Sequence, residues 1–138
     1  MKNRAYIPAG ISLLVALGMH YAGNHWHIYT LISWYDDPLH FLSGLGLGFF
    51  FYWFISEFDI IKGGLRGMDL WVIVGLVLIC GTVWECFEVI TDTAGYPIGS
   101  VAYVVDTTKD IVNGVVGSIA ALIIISETFE KKNNENKK

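Results

Sequence analysis

The sequence predicts an all-α polytopic membrane protein: a bundle of four transmembrane helices with both termini cytoplasmic. Three observations carry that reading. Of the 138 residues, 54% are hydrophobic and 14% aromatic, and the mean hydropathy is +0.50, above the range of an ordinary water-soluble domain. The apolar residues gather in four long runs instead of alternating with polar ones. The basic residues fall on one side of those runs, as expected for the cytoplasmic side.

The first run, Ile7 to Ala22, follows Lys2 and Arg4, as in a signal peptide. Pro8 at its start and the lack of a small-x-small cleavage site in "MHYAG" favour an uncleaved span. The others are Pro38 to Ser56, Leu70 to Ile90 and about Thr107 to Ser126. At about 1.5 Å per residue, each covers most or all of a hydrocarbon core ~30 Å thick. Residues 1–130 then form a single transmembrane domain, and 131–138 a polar cytoplasmic tail.

Four spans place Lys2, Arg4, Lys62, Arg66, Lys131, Lys132, Lys137 and Lys138 together, with Lys109 alone opposite. The acids divide differently. Asp36, Asp37, Glu85, Glu88, Asp92, Asp106 and Asp110 fall on the outer side with all four histidines, while Glu57, Asp59, Asp69, Glu127, Glu130 and Glu135 mix with the cytoplasmic lysines. Aromatic residues at both levels read as interfacial anchors.

Three spans carry a polar stripe at the outer end. Asp37, His40, Gly44 and Gly48 share one helical face, with the glycines spaced for close helix approach. Glu85, Glu88 and Asp92 share another, and Glu85 lies about 22 Å from Leu70, still inside the hydrocarbon. Asp106, Asp110, Asn113 and Gly117 form the third, beside Gly114 and Ser118. Ionisable groups in hydrocarbon face a bundle interior or cavity, so the stripes are expected to converge. Lys109 and neutral histidines do not offset seven acids, which leaves protonation or a bound cation.

Some of these residues have structural readings. Asp37 before Pro38 fits an N-cap, and so does Asp106 before "TTK". Glu85 and Glu88 sit at a helix C-terminus, which disfavours anions, and Asp110 lies a turn beyond any cap. His25 and His27 read as solvated loop residues, and "GLGLG" as packing, because no strand precedes it and no Lys-Ser/Thr follows. Cys80 and Cys86 are six apart on one helix, which prevents their pairing.

The order Asp-x-x-His-x-x-x-Gly (Asp37, His40, Gly44), Trp-Glu-x-x-Glu (Trp84, Glu85, Glu88) and Asp-x-x-x-Asp-x-x-x-Gly (Asp106, Asp110, Gly114) resembles the YjdF-like group of small bacterial and archaeal membrane proteins. Asp110, Asn113 and Gly117 also look like the late helix of the wider VanZ-like group. The likeness spans about residues 37–117 in a chain shorter than typical YjdF-like members. It implies an integral membrane protein with a polar intramembrane site, and the VanZ-like association points to the cell envelope without naming a reaction.

The residues themselves suggest a divalent metal site, with His40, Glu85, Glu88 and Asp110 as ligands and Asp37 and Asp106 in or beside the ligand set. Asn113 and Asp92 would orient them. Carboxylate and imidazole donors without sulfur suit Mg²⁺, Mn²⁺, Fe²⁺, Ca²⁺ or Zn²⁺ better than copper. At headgroup depth such an ion would serve hydrolysis or transfer on a lipid or lipid-linked envelope substrate, with Glu85, Glu88 and Asp110 as the catalytic groups. "TAGYPIGSVAYVV", with Gly95, Pro97 and Gly99, reads as a lid. The alternatives are a proton- or cation-coupled transporter, a scaffold with a structural cation and, more remotely, a haem protein. Exposed Gly-x-x-x-Gly faces suit a homodimer, and nothing in the sequence suggests nucleic-acid binding.

Overall fold

The computed structural model describes residues 4–61, 70–91, 93 and 95–130. The described residues form helices and contain no strand: α1 Tyr6–His25, a single turn α2 Ile28–Leu31, α3 Asp36–Glu57, α4 Leu70–Ile90 and α5 Val101–Ile125, which ends in a π-helical turn, Ser126–Glu130. Four of these helices are long and apolar enough to cross a membrane. Their surfaces agree with that setting, since Leu14, Ile90 and Val101 are 70%, 82% and 81% exposed. In lipid such residues need no covering. Asp92 and the tail expected at 131–138 lie outside the described residues.

Two helix starts differ from the hydropathy reading. α3 begins at Asp36, with Pro38 inside its first turn, where a missing N–H costs nothing. Asp37 is therefore a helical residue and not a cap. α5 begins at Val101, ahead of Thr107, because the Ser100 hydroxyl accepts the Tyr103 N–H at 3.1 Å and caps the helix. The second half of "TAGYPIGSVAYVV" is accordingly helix, and Asp106 sits in the second turn of α5.

α3 lies at the centre, packed against α1, α4 and α5, and α4 also packs on α5. The α3–α5 contact is glycine-built. A Cβ added at Gly44 would collide with the Gly114 carbonyl oxygen, and one at Gly117 with the Phe41 carbonyl oxygen. A Cβ at Gly48 would meet the Ala121 Cβ at 2.9 Å. The Gly44/Gly48 pair thus brings α5 of the same chain close to α3.

The apolar core fills the end of the bundle away from Asp36, Glu85 and Asp110. Ala5, Ala9, Phe49, Ala121 and Ile125 form one cluster, and Ile55 and Ile73 another. Ser118, fully buried, donates to the Val115 carbonyl at 2.7 Å, as a hydroxyl in hydrocarbon must find a partner in its own helix.

Gly44→Ala and Gly117→Ala are expected to lower stability by about 1–3 kcal/mol or more, as overpacked cores do. Gly75→Ala, whose Cβ meets nothing within 4 Å, should leave stability unchanged or raise it. Thermal unfolding in detergent checks the contrast. Equal effects at all three positions would sink the close-contact account.

Candidate functional site

The end of α1, the start of α3, the end of α4 and the start of α5 meet at one end of the bundle, the acidic end. Asp36 and His40 lie one turn apart on α3, and the glycine contact brings Asp110 of α5 against them. Each of the three offers a donor atom within 4.8 Å of the others. His40 is 8% exposed and Asp110 3%. His40 Nε2 lies 3.5 Å from Asp36 Oδ2, yet the contact is not a hydrogen bond. His40 Nε2 and Asp110 Oδ1 are both buried without a hydrogen-bond partner. Metal–ligand bonds of about 2.0–2.6 Å let two ligands of one ion stand up to ~4–5 Å apart, so this group can share a cation.

The other acids surround this trio. Glu85 is buried, with the Thr107 side chain beside its carboxylate and Asp36, His40 and Asp106 near enough to be felt electrostatically. Glu88 is half-buried and accepts the Trp84 indole N–H at 3.0 Å. Lys109 Nζ reaches Asp37 at 2.9 Å and Asp106 at 3.3 Å, and Asn113 donates to Asp37 at 3.4 Å.

Of the ligands expected from sequence, His40 and Asp110 come together, and Glu85 stands next to them. Asp37 and Asp106 instead form a clamp on Lys109, with Asn113 as a strut, and Glu88 is turned toward Trp84. Asp36 takes the place expected of Asp37. Its signal was present in the i, i+4 spacing to His40, but the Asp-Pro pair suggested a later helix start and drew attention to the neighbouring carboxylate.

A further layer comes from α1 and the turn after it. The Asn24 amide donates to His20 Nε2 at 3.0 Å, which leaves Nδ1 as the donor to the Tyr29 hydroxyl, also at 3.0 Å. The His20 ring meets Trp84 edge-on at 5.6 Å, Tyr29 meets Tyr35 at 5.4 Å, and the Tyr35 hydroxyl donates to the Met19 carbonyl at 2.9 Å. Burial, reinforced by Asp36, Tyr35 and Glu88, pushes the Tyr29 phenol well above its usual range. It stays neutral at physiological pH. His25 stacks on Tyr21, and both His25 and His27 are exposed, outside the trio.

A four-span bundle with its polar groups gathered at one end agrees with the family comparison. A model described as "Predicted membrane protein (DUF2238)" matches residues 2–131. The chain belongs to the DUF2238 family. Nothing among curated proteins or solved structures matches it. The DUF2238 chain is thus an integral membrane protein in which two spans, α3 and α5, bring an Asp/His/Asp group together, with His40 and Asp110 buried.

The Lys109 clamp has its own test. Asp37→Asn and Lys109→Gln are expected to be non-additive in thermal stability, with a coupling of about 0.5–3 kcal/mol, as for residues in one ion-pair network. Additive losses would mean that the pair does not organise the start of α5 against α3.

Proposed function

We propose that this DUF2238 protein holds a divalent cation in an outward-facing intramembrane site and uses it on a lipid or lipid-linked substrate of the cell envelope. The observation that carries the reading is the pair of buried, unpartnered atoms, His40 Nε2 and Asp110 Oδ1, beside Asp36. Buried polar groups are ordinarily satisfied, and a charge at the centre of a membrane helix costs about 2.5–3.5 kcal/mol on insertion scales. One cation supplies a partner to both atoms and offsets two carboxylates. Three protein donors leave coordination positions open for water or substrate, as in catalytic metal sites.

Asp36, His40 and Asp110 would hold the cation, which would supply Lewis-acid chemistry suited to hydrolysis or transfer at a phosphoryl or carbonyl group. Glu85, buried beside the trio, is placed to accept a proton, with Glu88 the next carboxylate along α4. Asp37, Asp106 and Asn113 hold the ends of α3 and α5 in register through Lys109. Transport fits the geometry less well. Among the described residues, Phe49, Ala121, Ile125, Ile55 and Ile73 fill the bundle beyond the site with apolar side chains.

The eight-to-one distribution of basic residues supports an outward-facing acidic end. The resemblance to VanZ-like proteins points to the same compartment. A C-terminal fusion in a bacterial host is expected to be fluorescent with green fluorescent protein and inactive with alkaline phosphatase. The reverse pattern would turn the site toward the cytoplasm and remove the envelope substrate.

Elemental analysis of detergent-purified protein, cleared of adventitious ions, tests the centre. One equivalent of a divalent metal is expected in the wild type, with near-complete loss in Asp110→Asn and His40→Gln and retention in Glu57→Gln. Chelation should lower the melting temperature of the wild type and of Glu57→Gln and leave that of Asp110→Asn and His40→Gln unchanged. Folded wild type that takes up no metal would end the proposal.

A further inference from the structure

A cavity of about 330 Å³ adjoins the trio, and its walls come from all four spans. Leu13 and Leu17 of α1, Leu47 of α3 and Val77 of α4 make it aliphatic, and His40 and Asp110 stand at its acidic end. On α1 the lining runs from Leu13 to His20, on α3 from His40 to Leu47 and on α4 from Val77 to Trp84. Each stretch covers about 10 Å of helix, so the cavity is a slot roughly two turns deep, parallel to the spans. Protein interiors are otherwise close-packed, and a space this large needs an occupant. Water is a poor occupant of the whole slot, because a buried water needs two to four polar partners and the half around Leu47 and Val77 is aliphatic, with His40, Ser43 and Asp110 in the other half.

The mouth shows where the occupant comes from. Among the lining residues, Leu17 of α1 is 64% exposed and Trp84 of α4 is 36% exposed. The opening therefore lies between α1 and α4 and faces the surrounding lipid. The His20–Trp84 ring contact bridges the same two helices at the acidic end, with His20 held by Tyr29 and Asn24. It forms a lintel over the slot.

We propose that the slot receives one aliphatic chain of a membrane amphiphile, entering sideways between α1 and α4, and places its polar end against His40 and Asp110. The inference deepens the proposed function by naming a chain-bearing substrate and its route, and rests on that reading for the substrate class alone; occupancy itself requires no metal. Because a lipid tail gains little by leaving one apolar medium for another, the slot provides shape and the buried pair provides selection.

The test uses the full chain in vesicles of phosphatidylethanolamine and phosphatidylglycerol, doped with phosphatidylglycerol bearing a diazirine midway along one acyl chain. Irradiation is done with chelator and with added Mn²⁺, followed by mass-spectrometric mapping. Adducts are expected at Leu13, Leu47 and above all Val77, which at 2% exposure an annular lipid does not reach. Gly81→Leu and Ala16→Phe plug the slot from opposite walls, and each should cut those adducts about tenfold, the scale on which an apolar pocket discriminates by size. A Cβ at Gly81 meets nothing within 4 Å, so that variant is expected to fold. Labelling of outward-facing Leu14 and Ile79 should not change. Adducts confined to such outward residues, or slot adducts indifferent to both plugs, would overturn the inference. Slot labelling in a protein that binds no metal would uphold it and overturn the metal reading; metal bound without slot labelling would do the opposite.

Discussion

The contact on which the rest depends is the backbone approach of α3 and α5. Where Gly44 meets Gly114 and Gly117 meets Phe41, no side chain separates the two helices. That closeness lets short aspartates on one helix reach partners on the other. Asp36 and His40 can share a centre with Asp110, and Asp37 can meet Lys109, only because the axes are near. In a bilayer, helices gain nothing hydrophobic by associating, so such small-residue packing carries the association. The polar cluster then adds electrostatic specificity to a contact made by shape.

The acidic end solves its charge problem in two different ways. Lys109 answers Asp37 and Asp106 directly, at distances that define a charge-assisted pair. Among the described residues, no lysine or arginine pairs with Asp36, Asp110 or Glu85 as Lys109 does with Asp37; His40 is the basic side chain among them, and Lys109 acts on Asp110 only at longer range. The split falls along the helix faces, with the clamp on the more accessible side and His40 and Asp110 buried. A structural role accounts well for the clamp. It accounts less well for the trio, where His40 Nε2 and Asp110 Oδ1 are buried without a hydrogen-bond partner.

Much of this was legible in the sequence. Hydropathy located four spans, because lipid imposes length and composition on a helix more strictly than water does. Helical spacing placed His40, Glu85 and Asp110 on faces that could converge, since polar stripes in hydrocarbon have few places to go. The choice between Asp36 and Asp37 was not legible. Adjacent residues on a helix differ by about 100° in direction, and only the position of Lys109 on a neighbouring helix decides which one turns where. The early start of α5 was signalled by Ser100, yet hydropathy outweighed the cap. The slot was invisible because its walls are ordinary leucines, valines and glycines, informative only once four helices surround them.

The arrangement also limits how matter reaches the site. Beyond the trio, toward the opposite end, Phe49, Ala121 and Ile125 close the space between α3 and α5, and Ile73 fills the approach from α4. Ser118, a polar group buried there, satisfies itself within α5. Among the described residues two approaches remain: the acidic end, open to ions and water, and the proposed gap between α1 and α4, open to a lipid chain. A centre built only for ions has no use for the second, and one built only for chains has no use for buried aspartates. Both approaches end at His40 and Asp110, where a polar reactant from solution and an apolar one from the bilayer would first share a boundary.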